Sequence, residues 1–361
     1  MFKFGIDEIS GKLPFSKIGL VTNLGSVTSG LEINIDFMIR KGYNISKIFT
    51  PEHGLYGTES NGSEISNSEY NSIPTISLYG EKVKPTVEDM DDLDLLVFDL
   101  QDAGVRFYTY LSTLFNVIEA SSKYGIPVFI LDRPNPINGT IVDGNVLSKE
   151  HISFVGTDTI PIRYGMTIGE LGQFFNRHFN GDVKVIRMSG YRRNSYLDHL
   201  INWFIPPSLN LPTIDSLLNY SSMCLLEATD ISVGRGTPYP FVQFGKPGLN
   251  DLPLNIPGLK LRKTRFIPLT GEYSLQNVDG FFLHILDRKI YNPFLLTLGI
   301  FVELFRKDFI EINEQKLARL YGSNSLIKMI RNGSSEVEII ESWSEDLLAF
   351  KEESENYKIY K

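Results

Sequence analysis

Four apolar residues in a row, Leu95-Leu96-Val97-Phe98, run without a polar break into Asp99-Leu100-Gln101-Asp102-Ala103-Gly104-Val105-Arg106. A strand with one wet face alternates apolar and polar side chains, whereas an unbroken apolar run is covered on both faces, the habit of parallel sheets flanked by helices. The acids and the arginine come only at its carboxyl end. That end is where open α/β sheets bind ligands, and carboxylates there are costly to bury unless they are paired or used.

The same arrangement recurs. Lys17 to Asn23 is a short apolar run closed by turn residues, and Leu31 to Lys41 carries Ile33, Ile35, Phe37, Met38 and Ile39 at spacings that suit a helix packed on a sheet. Lys47 to Thr50 is a second strand, running into Pro51-Glu52-His53-Gly54-Leu55-Tyr56-Gly57, where Gly54 and Gly57 free the backbone to turn. Val128 to Leu131 is a further strand, followed by Asp132-Arg133-Pro134-Asn135-Pro136, a loop stiffened by prolines. Three strands therefore end in Glu52/His53, Asp99/Asp102/Arg106 and Asp132/Arg133/Asn135. The expected fold is α/β, a Rossmann-like, mostly parallel sheet with helices on both faces, including helices from about Leu111 to Lys123 and from Thr167 to Phe179.

Between these strands, Asn61 to Ser72 is rich in serine and asparagine and reads as an exposed loop lying over the site. The acidic stretch Asp89 to Asp94 reads as a solvated helix end. Downstream, Trp203 to Thr213 holds too many prolines for a regular element and is expected to form a rigid, partly apolar loop that walls a pocket. A helix from Asp215 to Leu226 then delivers Glu227 and, past two glycines, Arg235. After Pro247-Gly248 no new loop of acids and arginines occurs, which sets an expected boundary there. Residues 1–248 would form the Rossmann-like catalytic domain, and residues 249–361 a smaller C-terminal α/β auxiliary domain.

A net charge of -8 with no basic cluster argues against nucleic acid as a partner. No window approaches the roughly 20 apolar residues of a membrane span. The start, Met1 to Asp7, lacks the apolar core of a signal peptide, so a cytoplasmic location without membrane contact is expected. The single cysteine, Cys224, cannot form an intramolecular disulfide, and its apolar neighbours suit a packed thiol. Thr22-Asn23-Leu24-Gly25-Ser26-Val27 does not match the glycine turn of a dinucleotide site, and no Walker sequence occurs, so no cofactor is expected.

Clustered carboxylates, a histidine and arginines in glycine-bearing loops fit more than one chemistry. Glycoside hydrolysis needs one carboxylic acid to protonate the leaving oxygen and a second carboxylate as base or nucleophile, and Glu52, Asp99, Asp102, Asp132 and Glu227 are available. Metal-assisted hydrolysis of a phosphorylated or sugar substrate would use Asp99, Asp102 and Asp132 as ligands. A non-catalytic sugar-binding protein could keep the same cleft. The bland alternative for any one acid is to cap a helix or pair with an arginine.

Taken together, Pro51-Glu52-His53-Gly54, the block from Asp99 to Tyr110, Leu131-Asp132-Arg133-Pro134-Asn135-Pro136 and Ser232-Val233-Gly234-Arg235-Gly236-Thr237 resemble the signature blocks of the exo-β-N-acetylmuramidases, a glycoside hydrolase family formerly known as a domain of unknown function. The blocks occur in the family's order and the resemblance extends over nearly the whole chain. It implies release of N-acetylmuramic acid from non-reducing ends of peptidoglycan fragments, a muropeptide or disaccharide, in cell-wall turnover and recycling. It also implies Glu52 as the catalytic glutamate; beside it, the residues themselves suggest a metal-free mechanism in which Glu52 is the general acid or acid/base and His53 and one of Asp99, Asp102 or Asp132 tune it. Substrate contacts are expected from Arg106, Tyr108, Arg133, Asn135, Glu227 and Arg235. An arginine fork is the natural receptor for the lactyl carboxylate of muramic acid. The chain departs from the family pattern at Glu227-Ala228-Thr229-Asp230, where Glu-Gly-Thr-Asn is common, and at Pro207-Ser208-Leu209-Asn210, where Pro-Ser-Pro-Asn is usual.

Overall fold

The computed structural model describes residues 2–14, 17–57 and 68–361. Its contacts divide the chain into two units, the first made of residues 1–141, 165–209 and 353–361 and the second of residues 142–164 and 210–352. This differs from a single break near Gly248. The strand Gln243–Gly245, just before that glycine, pairs with Val278–Ile285 beyond it, so the polypeptide passes 248 inside one sheet.

The first unit carries the parallel sheet. Its first six strands are β1 (Lys17–Thr22), β2 (Asn44–Thr50), β3 (Ser68–Tyr70), β4 (Ile73–Ser77), β5 (Leu95–Asp99) and β6 (Val128–Leu131); Val183–Ile186 is the seventh. The order is β3-β4-β2-β1-β5-β6 and then Val183–Ile186, all parallel except β3, which runs antiparallel to β4. The polar stretch expected as a loop from Asn61 to Ser72 thus contributes strand β3, while its residues 61–67 lie outside the described part.

Helices α1 (Asn34–Arg40), α2 (Val87–Met90), α3 (Tyr110–Tyr124) and α4 (Ile168–Asn176) pack around this sheet. Alternate residues Ile18, Leu20, Leu95, Val97, Phe129 and Leu131 share one buried cluster with Ile35 and Met38 of α1. Ile130, pointing the other way, meets Gly172 of α4 so closely that an added Cβ there would lie 2.1 Å from its Cδ1. Helices therefore cover both faces, as an unbroken apolar strand requires. In the acidic stretch before β5, Asp89 is buried rather than solvated: it completes a capping box with Thr86 at α2 and pairs with Lys82 at 2.9 Å.

Residues 353–361 return to this unit. The Tyr360 hydroxyl donates to Asp132 Oδ2 at 2.6 Å and accepts from Met188 N at 2.8 Å, and Ile359 N donates to Glu170 Oε1 at 2.8 Å. Glu170 also takes the Arg193 guanidinium at 2.5 Å and Thr167 N at 2.9 Å, closing the N-terminal turn of α4.

The second unit is built on antiparallel pairs: Val142–Val146 with Pro161–Tyr164, and a three-stranded sheet with Val278–Ile285 between Gln243–Gly245 and Leu259–Phe266. Its helix Pro293–Arg306 starts with proline at a first-turn position, where no N–H is needed, behind the Asn292 cap. Trp343 packs edge-on against Phe294 of that helix at 5.3 Å and donates Nε1 to the Tyr321 hydroxyl at 2.7 Å.

Candidate active site

The direction of the chain reverses between β1 and β5. From β1 the connections run outward through β2 to β4, and β5 then starts the other half on β1's opposite side, with Thr22 opposite Asp99. Loops leaving such a pair diverge and open a crevice at the carboxyl ends of the strands. A pocket of about 320 Å³ lies there, lined by Asn23, Leu24 and Gly25 after β1, Tyr56 and Gly57 after β2, and Gln101 and Tyr110 after β5. The proline-rich loop supplies the remaining wall through Ile205, Pro206, Pro207 and Leu209, in the role expected of it.

Glu52 lies in the turn between β2 and the pocket residue Tyr56. The turn after β2 carries His53 at φ 72° and Gly54 at φ 68°, and a buried histidine in the left-handed region costs about 1 kcal/mol or more, which the surrounding packing must hold. Glu52 is 9% exposed, and its Oε2 accepts the Thr109 hydroxyl at 2.6 Å. Leu24 N donates to Leu55 O at 2.8 Å, tying the loop after β1 to this turn. The next residue after Thr109, Tyr110, turns its hydroxyl to Asn23 Nδ2 at 2.8 Å. Burial first, then the charges of Glu52 and Asp102, push the Tyr110 phenol well above its ordinary range, against the hydrogen bonds with Tyr108 and Asn23.

Asp102 is the second carboxyl in this neighbourhood. Burial raises its pKa to about 7, opposed by the N–H groups of Gly104 and Ala103, of which Gly104 N lies 2.7 Å from Oδ2. Gly104 stands at φ 79°, and an added Cβ would come within 2.5 Å of Asn135 Oδ1. Only glycine fits that position without displacing the loop.

The other expected residues hold the loops to one another. Asp99, 0% exposed, takes Arg133 through two bonds, Nε to Oδ1 at 2.6 Å and Nη2 to Oδ2 at 3.0 Å, and also accepts Asn34 Nδ2 at 2.8 Å. Arg133 further donates to Val27 O at 3.0 Å and lies over the Phe4 ring at 4.8 Å. Asp132 is equally enclosed: Oδ1 accepts Arg133 N and Gly169 N, and Oδ2 accepts the Thr167 and Tyr360 hydroxyls. Burial lifts its pKa to about 7 despite those donors. Asn135 bonds Met166 O and Ile137 N, the Tyr108 hydroxyl donates to Pro207 O at 2.6 Å, and Arg106 is 1% exposed. In this geometry Asp99, Asp132, Arg133 and Asn135 answer to internal partners. Among the described residues no three of histidine, cysteine, aspartate and glutamate converge as metal ligands, so Asp99, Asp102 and Asp132 form no such trio.

Glu227 and Arg235 belong to the second unit, where the Arg235 guanidinium pairs with Glu227 and lies over the Phe241 ring at 5.0 Å. Cys224 is buried beside them, and burial holds its thiol well above its usual range, as befits a packed rather than reactive sulfur. The sequence reading singled out neither Asn23, Thr109, Tyr56 nor Gln101 as site residues. Asn23 could have been found as the polar residue closing the first strand, and Thr109 and Gln101 lie inside the long block after β5.

The whole chain superposes on two solved DUF1343 family proteins from Bacteroides fragilis NCTC 9343, with TM-scores of 0.90 and 0.82 at 27% and 29% identity, covering 100% of this chain and 99% of each of those. A carboxyl-bearing turn and a pocket at the switch point of a parallel sheet suit several chemistries, and the sequence comparisons single out an α/β glycosidase. Residues 18–215 match the N-terminal and residues 218–360 the C-terminal part described for the exo-β-N-acetylmuramidase NamZ. The chain is 34% identical over 375 aligned positions to the peptidoglycan β-N-acetylmuramidase NamZ of Bacillus subtilis (strain 168), covering 99% of this chain and 91% of that one. The chain belongs to the exo-β-N-acetylmuramidase NamZ family.

Proposed function

We propose that this protein is an exo-acting glycosidase that releases N-acetylmuramic acid from the non-reducing ends of peptidoglycan fragments, small muropeptides or disaccharides, and that it serves cell-wall recycling in the cytoplasm. The observation that carries the mechanism is the Glu52 carboxylate, held by the 2.6 Å bond from Thr109, the residue before the pocket residue Tyr110. Glu52 handles the proton of the leaving oxygen, Thr109 orients it, and the strained His53 turn keeps its backbone in place.

Asp102 is the second carboxyl in this reading, because a pKa of about 7 lets it exchange a proton at neutral pH, and because its charge bears on the same tyrosine as that of Glu52. Asp99, Asp132, Arg133 and Asn135 position the loops. Of the three arginines expected to receive the lactyl carboxylate, Arg133 is committed to Asp99, Arg106 is buried and Arg235 is paired with Glu227, so none is assigned to that group.

The test is hydrolysis of a chromogenic β-N-acetylmuraminide beside the matching N-acetylglucosaminide. Turnover of the muraminide alone is expected; equal rates on both would remove lactyl recognition from the function.

A further inference from the structure

We propose that the pocket at the β1–β5 switch point is the aglycone subsite, which takes the uncharged amino sugar from which muramic acid is released, with Tyr56 as its stacking platform. This rests on the muramidase reading and says which half of the substrate enters the pocket. None of the described residues that line it carries a formal charge at neutral pH. Muramic acid bears a lactyl carboxylate, and lowering that group among leucine, isoleucine and proline with no cation would cost several kcal/mol. The neighbouring N-acetylglucosamine ring has no such group.

The lining suits a neutral pyranose in its other features. A sugar ring has an apolar C–H face and a rim of hydroxyls. Tyr56, 63% exposed, stands at the pocket with Leu209, 66% exposed, and Ile205, which together present flat apolar surface that solvent alone would not favour. Opposite in kind are two carboxamides. Gln101 spends both amide hydrogens on the carbonyls of Asp102 and Pro134, at 2.9 and 3.0 Å, so the group it offers the pocket is an acceptor, Oε1. Asn23 bonds Tyr110, which makes a polar floor. The volume of about 320 Å³ is near the lower end for small-molecule sites and suits one ring.

The proton that Glu52 delivers goes to the glycosidic oxygen, which departs with the aglycone as the C1–O bond breaks; the oxygen of a water bonds C1 and that water's proton passes to a carboxylate, which restores the acid. Thr109 holds Glu52, and the adjacent residue Tyr110 lines the pocket. Both sugars flank the protonated oxygen, so it is the uncharged lining that assigns the pocket to the half that leaves.

The experiment compares two substrates that share the muramic half. One is the β-1,4 disaccharide of N-acetylmuramic acid and N-acetylglucosamine; the other is β-N-acetylmuraminyl fluoride, whose aglycone is a single atom. For Tyr56→Ala the ratio of kcat/KM on disaccharide to that on fluoride should fall by about tenfold or more, and for Tyr56→Phe, which keeps the ring, by less than about threefold. Tyr56 is exposed, so the fold tolerates both changes. Equal losses on the two substrates would put the muramic ring in the pocket, and no loss on either would remove Tyr56 from the site; both overturn the assignment. A wild-type protein inert on both substrates would instead overturn the muramidase reading, and the subsite with it.

Discussion

The guanidinium of Arg133 and the carboxylate of Asp99 meet side-on through two hydrogen bonds of 2.6 and 3.0 Å, both groups shut away from solvent. They join the ends of two adjacent parallel strands, β5 and β6, beside the pocket. Cutting one partner leaves the other charge buried and alone. Arg133→Met is therefore expected to lower unfolding free energy by about 3–5 kcal/mol, while the double change with Asp99→Leu loses much less. Urea titration of both variants checks this, and a double variant as unstable as the single one would count against the pair as a structural clasp.

Glu52→Gln keeps the shape of the side chain and its contact with Thr109 but cannot transfer a proton. Its turnover of a muraminide is expected to drop by about 10³-fold or more, with thermal unfolding near that of the wild type. Thr109→Val, which only removes the orienting hydroxyl, should cost about tenfold in kcat. Undiminished turnover by Glu52→Gln would end the assignment of Glu52.

Asp102 links stability to pH. Burial raises its pKa from 3.8 to about 7, so between those values the folded protein holds a proton that the unfolded chain has lost. Stability from this group is then fully present at low pH and declines as pH rises through that window. Asp102→Asn lacks the decline. The difference in unfolding free energy should shift in the variant's favour by up to ~1.4 kcal/mol per pH unit between pH 4 and 7 and level off above pH 8. Denaturant unfolding at pH 4.5, 6 and 8 measures it, and a shift in the opposite direction refutes the buried-acid account.

Gly104 offers a steric test of the same loop. Alanine there must adopt φ near 79° and put its Cβ within 2.5 Å of Asn135 Oδ1 and 2.7 Å of Ile137 Cγ1. A loss of about 2 kcal/mol or more is expected, together with lower activity, because the loop carrying Asp102 has to move. Alanine tolerated without effect on either measure would show that the loop yields more readily than its packing implies.

Much of the sheet could be read from the sequence because buried parallel strands leave a plain signature: Leu95 to Phe98 and Val128 to Leu131 are apolar throughout and end in polar loops. The strands of the second unit gave no such signal. Leu259–Phe266 carries four charges, Lys260, Arg262, Lys263 and Arg265, on a half-exposed strand, and its pairing with Val278–Ile285 depends on residues distant in sequence. At the site, residue type singled out Glu52, Asp99, Asp102 and Asp132 alike and could not rank them. All four are strand-end acids. The partners differ: a guanidinium closes over Asp99 and a tyrosine from residue 360 over Asp132, while Glu52 accepts the Thr109 hydroxyl. Those partners come from across the fold, and no local pattern announces them.

The return of residues 353–361 to the first unit has a consequence for synthesis. Ribosomes deliver a chain from its amino end, and domains commonly fold as they emerge. Here the hydroxyl that closes Asp132 and the amide that satisfies Glu170 belong to Tyr360 and Ile359. The sheet edge around Asp132 therefore waits, through the making of the whole second unit, for its final bonds. A nascent or prematurely stopped chain carries Glu52 and Asp102 but leaves Asp132 and Glu170 each short of a donor, so the bonding around them is completed only in chains translated through residue 360.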